Sequence, residues 1–197
     1  MLFRSHVSIA KRVEGVISPL AESREFRVLV EGTNRLDSAQ LKTLLTFQRQ
    51  VARLDRAVSG ALNAANELNT RLGQLLRAAD STPGVEPKWQ AAVRDLEKHN
   101  RGILRALRGD NTLRARNENT PTSISERVGY IVDSQRFSLA SPTKTQQESY
   151  RIASDEFTQE LAKLRKLIEV DLRAVEKALD AAGAPWTSGR LLDWKDK

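Results

Sequence analysis

The chain has 197 residues, 40% hydrophobic and 29% charged, with six prolines, no cysteine and a formal net charge of +7. Those values fit a globular chain long enough to bury a core, and they exclude a disulfide framework, thiolate metal sites and wholesale disorder. No stretch is long and apolar enough to span a bilayer, and residues 1–20 scatter charges between short apolar groups, so no export signal is expected.

In the first thirty residues, Val7 and Ile9, and then Phe26, Val28 and Val30, alternate with polar neighbours. That period of two predicts two half-buried strands, joined through a connection from Glu14-Gly15 to Glu22-Ser23. An isolated hairpin is marginal in water. The strands are therefore expected either to pack on the rest of the chain or to complete a sheet supplied from elsewhere, and the second is preferred. A strand beginning directly after Met1 reads as a cut through a larger protein.

A turn at Gly32-Thr33-Asn34 precedes Asp37 or Ser38 as a helix cap. From there Leu44, Phe47, Val51, Leu54, Val58, Ala61, Ala65, Leu68, Leu72, Leu75 and Ala79 recur at 3,4 spacing, predicting one helix over residues 38–80. At 1.5 Å per residue it is about 65 Å long, a rod. The small residues Ser59, Gly60, Ala61, Ala64 and Ala65 predict close helix approach at its middle, with Gly60 making room for a neighbour. Pro83-Gly84 ends it and Pro87 opens a second helix, whose inner stripe is Trp89, Val93, Leu96, Asn100, Ile103 and Leu107. Asn100 on that stripe either fixes register, binds something, or is satisfied by a neighbouring polar group.

Residues 111–122 read as a polar connection. The S-x-x-E spacing of Ser123 and Glu126 then opens a short helix with Ile124, Val128 and Ile131 inward. A last long helix starts near Thr143 or Thr145. Its stripe of Ala153, Phe157, Leu161, Leu164, Ile168, Leu172, Val175 and Leu179 is closer to an eleven-residue than a seven-residue repeat. The differing repeats of the two long helices predict a nearly straight bundle. Gly183 and Pro185 stop the helix, leaving an apolar, extended tail with Trp186, Leu191, Leu192 and Trp194. The predicted fold is mainly α: an elongated antiparallel three-helix bundle with a broken second helix and an N-terminal β-hairpin remnant. Its divisions are residues 1–35 for the hairpin, as the end of an upstream β-sandwich, 36–183 for the bundle and 184–197 for the tail.

Charge is unevenly placed, with 14 basic against 8 acidic residues over 38–118 and 10 of each over 144–197. On the second helix Arg94, Lys98, Arg101, Arg105 and Arg108 form one continuous basic face. Such a stripe suits a phosphate backbone or an acidic partner, and equally a solvated face that keeps a rod soluble. No aromatic residue interleaves with it to stack bases, so nucleic acid is the less favoured partner. In the polar connection Arg114, Arg116, Asn117, Glu118 and Asn119 lie where the backbone leaves the helical ladder. They either meet a ligand or neighbouring domain, or cap the bundle.

Catalytic patterns are sparse. His6 and His99 are far apart with no ligand-spaced partners, and no phosphate loop, nucleophile elbow or H-E-x-x-H occurs. Asp155-Glu156 and Glu169-Asp171 read as solvated acids, and Arg108-Gly109-Asp110 as a helix stop rather than an adhesion tripeptide. No catalytic, cofactor or metal residue is assigned.

The strings FQRQVARLDRAVSGALNAA (residues 47–65), RALRGDNTLRARNENTPTSISERVGYIV (105–132), SPTKTQQESYRIASDEF (141–157) and GAPWTSGRLLDWK (183–195) resemble the C-terminal region of large bacterial sortilin-like β-propeller proteins, often labelled BNR-repeat or glycosyl-hydrolase-like. Asn119 and Thr122 depart from the proline-rich turn of that family. The resemblance implies an exported, much longer protein whose propellers precede a small β-sandwich and then this helical end, and it carries no active site into this chain. The expected role is a non-catalytic structural or interaction module. Phe26, Val28, Trp186 and Trp194 would contact upstream domains; self-association stays open. The alternative is a stand-alone helical protein binding nucleic acid or another polyanion through the basic face.

Overall fold

The computed structural model describes residues 3–28 and 36–189. Strands β1 (Phe3–Val7), β2 (Ala10–Val13), β3 (Val16–Pro19) and β4 (Arg24–Val28) form an interrupted antiparallel ribbon, with β2 on β3 and β1 on β4. Leu20 N donates to Ile9 O at 2.8 Å and carries the pairing across the gap. The turn is two residues, Glu14 at φ 49° and Gly15 at φ 85°, the double left-handed geometry that matches strand twist. Two expectations change here. Residues 16–19 are a strand rather than connector, because a tight turn at Glu14-Gly15 leaves them opposite β2. The strands are also exposed, not half-buried: Val7, Ile9, Val13, Val16, Leu20 and Phe26 all face solvent.

Helix α1 (Ser38–Asp80) runs 43 residues without a break. Asp37 accepts from Gln40 N while the Gln40 side chain accepts from Asp37 N, satisfying two donors that the first turn would otherwise leave open. Its 3,4 stripe from Leu44 to Ala79 is buried throughout. Ala61 and Ala65 sit in that seam, but Gly60 does not. A Cβ added at Gly60 would meet nothing within 4 Å, so it lies on the solvent side and makes room for no neighbour.

Helix α2 (Pro87–Arg108) returns along α1, with Gln90 Nε2 donating to Ala79 O at 3.4 Å and Asn100 Nδ2 to Ala65 O at 2.9 Å. The connection holds a short helix, α3 (Asn111–Ala115), and α4 (Ile124–Arg136) then continues in the same direction along α1 until Gln135 faces Gln48. Helix α5 (Lys144–Lys166), a π-turn (Leu167–Asp171) and α6 (Leu172–Ala181) run back as one continuous element. Tyr150 stacks edge-on against Phe47 near one end of α1, and Glu176 pairs with Arg71 toward the other. The observed order is therefore up, broken-down, up, and a single core extends from Phe47 to Leu179.

The last helix departs from a plain eleven-residue repeat. Leu164, Leu167, Leu172, Val175 and Leu179 are buried, so one step in the seam is five residues, and Leu172 N donates to Leu167 O. That i→i+5 bond takes up one extra residue and returns Leu172 to the core side. Ile168, expected on the stripe, is only partly buried. The helix ends at Gly183, φ 73°, where Gly183 N donates to Asp180 O and Ala184 N to Leu179 O. Buried Ala184 follows, so the tail begins inside the core.

Candidate interaction surfaces

All five residues of the basic face of α2 are exposed, and they are not equally available. Arg105 Nε lies 3.0 Å from Asp110 Oδ2 and Arg94 Nη2 lies 3.9 Å from Asp80 Oδ1. Arg108 Nη1 donates to Asn66 Oδ1 at 3.4 Å. Lys98 and Arg101 have no ion-pair partner among the described residues. Lys98 shares a shallow groove between α2 and α5 with Lys163 and Lys166, whose charges are met by Glu160 and Asp171 at 2.6 Å. The continuous positive stripe of the sequence is thus interrupted by carboxylates from elsewhere in the fold.

The arginine-rich connection is tied down rather than free. Asp110 caps α3 by accepting from Thr112 N at 2.9 Å and Leu113 N at 3.3 Å; the Leu113 N–H bond is the main cause holding its carboxyl below the ordinary value. Asn117 adopts φ 56° and donates to Arg114 O, while Glu118 N donates to Leu113 O, closing the helix end with its own backbone. The backbone amides of Arg114, Arg116, Asn117 and Glu118 are therefore satisfied within the loop. Arg114 pairs with Glu126, and Arg116 Nη1 lies 3.8 Å from Glu118 Oε1. Glu126 also accepts from Ser123 N at 2.8 Å, the main cause of its lowered pKa, while Ser123 Oγ accepts from Glu126 N at 3.3 Å. Arg114 thereby links α3 to the first turn of α4.

The described tail residues lie far along α1 from its N-terminal end. Trp186 is exposed, and Arg71 Nη2 donates to Gly189 O at 3.3 Å, so residues 184–189 fold back onto α1 rather than extend away. Arg71 is roughly 50 Å along α1 from Asp37, on the helical rise. A partner touching both Trp186 and the N-terminal end of α1 must span most of the rod. Trp194 and the leucines at 191 and 192 lie outside the described residues, as does Val30.

Two buried polar clusters escaped sequence reading. Gln135 Nε2 donates to Gln146 Oε1 at 2.8 Å, and Gln146 Nε2 donates to Ser134 Oγ at 2.8 Å, joining α4 to the start of α5. Gln146 was legible as the third residue of a capping box opened by Thr143, whereas Gln135 carried no signal beyond its inward position. Arg71 and Glu176 form an ion pair with the Glu176 side chain only 11% exposed. At the α4–α5 turn Phe137 is 89% exposed, with the Arg136 guanidinium 5.7 Å from its ring.

Among the described residues no group of three or more histidines and carboxylates is placed to hold a metal ion, and no helix is long and apolar enough to cross a membrane. The architecture defines a mainly helical rod carrying an N-terminal β-ribbon. No family model, no curated protein and no solved structure matches this chain.

Proposed function

We propose that the chain is a non-catalytic structural and interaction module: a stiff helical rod that presents a β-ribbon for docking. The observation that carries this reading is the uncovered apolar side of the ribbon, joined to a rod whose own apolar seams are filled by its own helices. A two-stranded ribbon without a covering layer is marginal, which favours a partner that completes it. Each strand pairs on one side only among the described residues, so the outer backbone edges are available to extend another sheet.

On the resemblance described above, the host is a sortilin-like β-propeller protein and this chain its helical C-terminal region. The edges would then continue the upstream β-sandwich. Sequencing the coding DNA ahead of the Met1 codon tests the host: an open frame encoding propeller blades is expected, and a stop codon directly ahead removes it.

The second reading is polyanion binding through α2, favoured by Lys98, which shares a groove with Lys163 and Lys166, and by exposed Arg101 on the same helix. The carboxylates set against Arg94 and Arg105 weigh against it. Fluorescence anisotropy with labelled single-stranded DNA and with heparin separates the two. A docking module binds neither at low salt; affinity that falls steeply between about 50 and 200 mM salt moves the polyanion reading to first place. Glycosidase activity of the isolated chain would overturn both.

A further inference from the structure

Ser188 and Gly189 line a cavity of about 600 Å³ between α1 and the π-turn, walled by Ala64, Leu68, Arg71 and Gln74 on one side and by Ile168 and Leu172 on the other. The tail is fastened there, since Arg71 Nη2 donates to Gly189 O at 3.3 Å. Gly189 lies at φ 83°, and a Cβ on it would come within 3.0 Å of the Arg71 guanidinium. Both the backbone angle and the close approach therefore call for glycine at this point.

Two polar atoms of the wall are buried without a hydrogen-bond partner among the described residues, the Arg71 Nε–H donor and the Gln74 Oε1 acceptor. A peptide unit offers the complementary acceptor and donor, and Arg71 already takes one peptide carbonyl from the tail. The remaining wall is apolar: Leu68 and Leu172 are buried, while Ala64 and Ile168 are half-buried. Because the π-turn gives the core position to Leu167, Ile168 is left at the groove. From Arg71 the groove continues along α1 to Ala64, about 10 Å on the helical rise. Residues 190–197 follow Gly189, and four residues in extended form cover about 13 Å. Extended alternation puts Leu192 and Trp194 on one side of that segment, matching an apolar wall. Exposed Glu67 lines the same groove and supplies a carboxylate for Arg190.

We propose that residues 190–194 occupy this groove as a strap, a peptide unit of the segment pairing with Arg71 Nε and Gln74 Oε1 while Leu192 and Trp194 lie over Ala64 and Ile168. The strap covers the π-turn in cis. Trp194 is then spent within the chain, and the ribbon is left as the docking element. The inference goes beyond the docking reading and does not rest on it.

Hydrogen exchange of the full chain, read by mass spectrometry on the peptic fragment that holds residues 190–197, tests the strap. In the wild type the amides of residues 190–194 are expected to exchange at least about ten-fold more slowly than their intrinsic rates, and equally so at about 10 and about 100 µM protein. Ala64→Arg, which fills the groove, should return them to the intrinsic rates with helical circular dichroism unchanged. Leu192→Asp should do the same from the segment itself, without touching the core of the rod. Intrinsic-rate exchange in the wild type, or protection that survives both substitutions, overturns the proposal. Protection that grows with concentration also overturns it, because the groove would then hold the segment of a second copy. Failure of the strap leaves the docking reading of the ribbon in place.

Discussion

The Asn100 side chain donates through Nδ2 to the backbone carbonyl of Ala65 at 2.9 Å, linking the middle of α2 to the middle of α1. Asn100 is 0% exposed, as is Ala65, whose small side chain lets the amide approach the α1 backbone. Its Oδ1 is buried without a partner among the described residues. The contact satisfies one end of the amide and leaves the other at a desolvation cost of about 1–3 kcal/mol.

Replacing this amide with a hydrocarbon of similar volume should stabilise the fold. Asn100→Leu loses a net hydrogen bond of about 1 kcal/mol and removes the orphaned oxygen, so its thermal midpoint should rise by about 2–4 °C. Asn100→Asp should lower stability by several kcal/mol, because a buried carboxylate would face the Ala65 carbonyl. Calorimetry of the three proteins distinguishes these outcomes, and a destabilised Asn100→Leu would show that the amide is worth more than its desolvation.

Leu172 N donates to Leu167 O across a single π-turn, and Val170 within it is exposed. Deleting Val170 should let the segment close as ordinary α-helix with buried residues at 3,4 spacing, keeping the thermal midpoint within a few degrees of wild type. Deleting exposed Gln159 instead rotates everything after it by about 100° and should unfold the C-terminal half. Equal loss of helicity in the two deletions would disprove the role of the π-turn as a register correction.

Arg71 and Glu176 join α1 to α6 with Glu176 largely buried. Arg71→Met should cost about 3–5 kcal/mol by stranding a buried carboxylate. The double variant Arg71→Met with Glu176→Met should recover most of that loss, though not the Arg71 bond to Gly189 O. Urea unfolding midpoints read both, and a double variant as unstable as the single one would mean that the pair itself stabilises the rod.

Asp110 and Glu126 both have carboxyls held below their ordinary values, chiefly by backbone N–H bonds from Leu113 and Ser123 respectively. A depressed folded pKa gives stability that is complete above the unfolded value and is lost as the pH falls through the folded one. Melting temperature should therefore fall on acidification below about pH 4, and the slope should flatten in Asp110→Asn with Glu126→Gln. Both groups are at or near the surface, so the effect is modest; an unchanged acid slope in the double variant would locate the acid sensitivity elsewhere.

The seams of α1, α2 and α4 were legible in the sequence because an amphipathic helix repeats every 3.6 residues, and the caps at Asp37, Ser123 and Thr143 because short polar side chains meet the first N–H groups locally. The turn at Glu14 is hidden by its residue type, since glutamate is an unusual choice for a positive φ, and the strand after it, Val16–Pro19, lacks the apolar–polar alternation that marks a strand. The π-turn was hidden for another reason. Leu167 and Ile168 are adjacent and both apolar, so a periodicity argument placed Ile168 in the seam, and only the packing against the neighbouring helices selected Leu167. The basic face of α2 was legible as a stripe, but the carboxylates at Asp80 and Asp110 that interrupt it come from beyond the helix's own ends.

Periodicity and local hydrogen-bond chemistry alone determined that this protein is a helical rod with a two-stranded extension, because both act over a few residues along the chain. The tertiary structure decided which residues meet across it: Asn100 with Ala65, Arg71 with Glu176, Gln135 with Gln146, and the exposure of the apolar ribbon face. Alternation can mark a face as apolar, but whether anything covers that face depends on where distant segments pack, which local spacing does not encode.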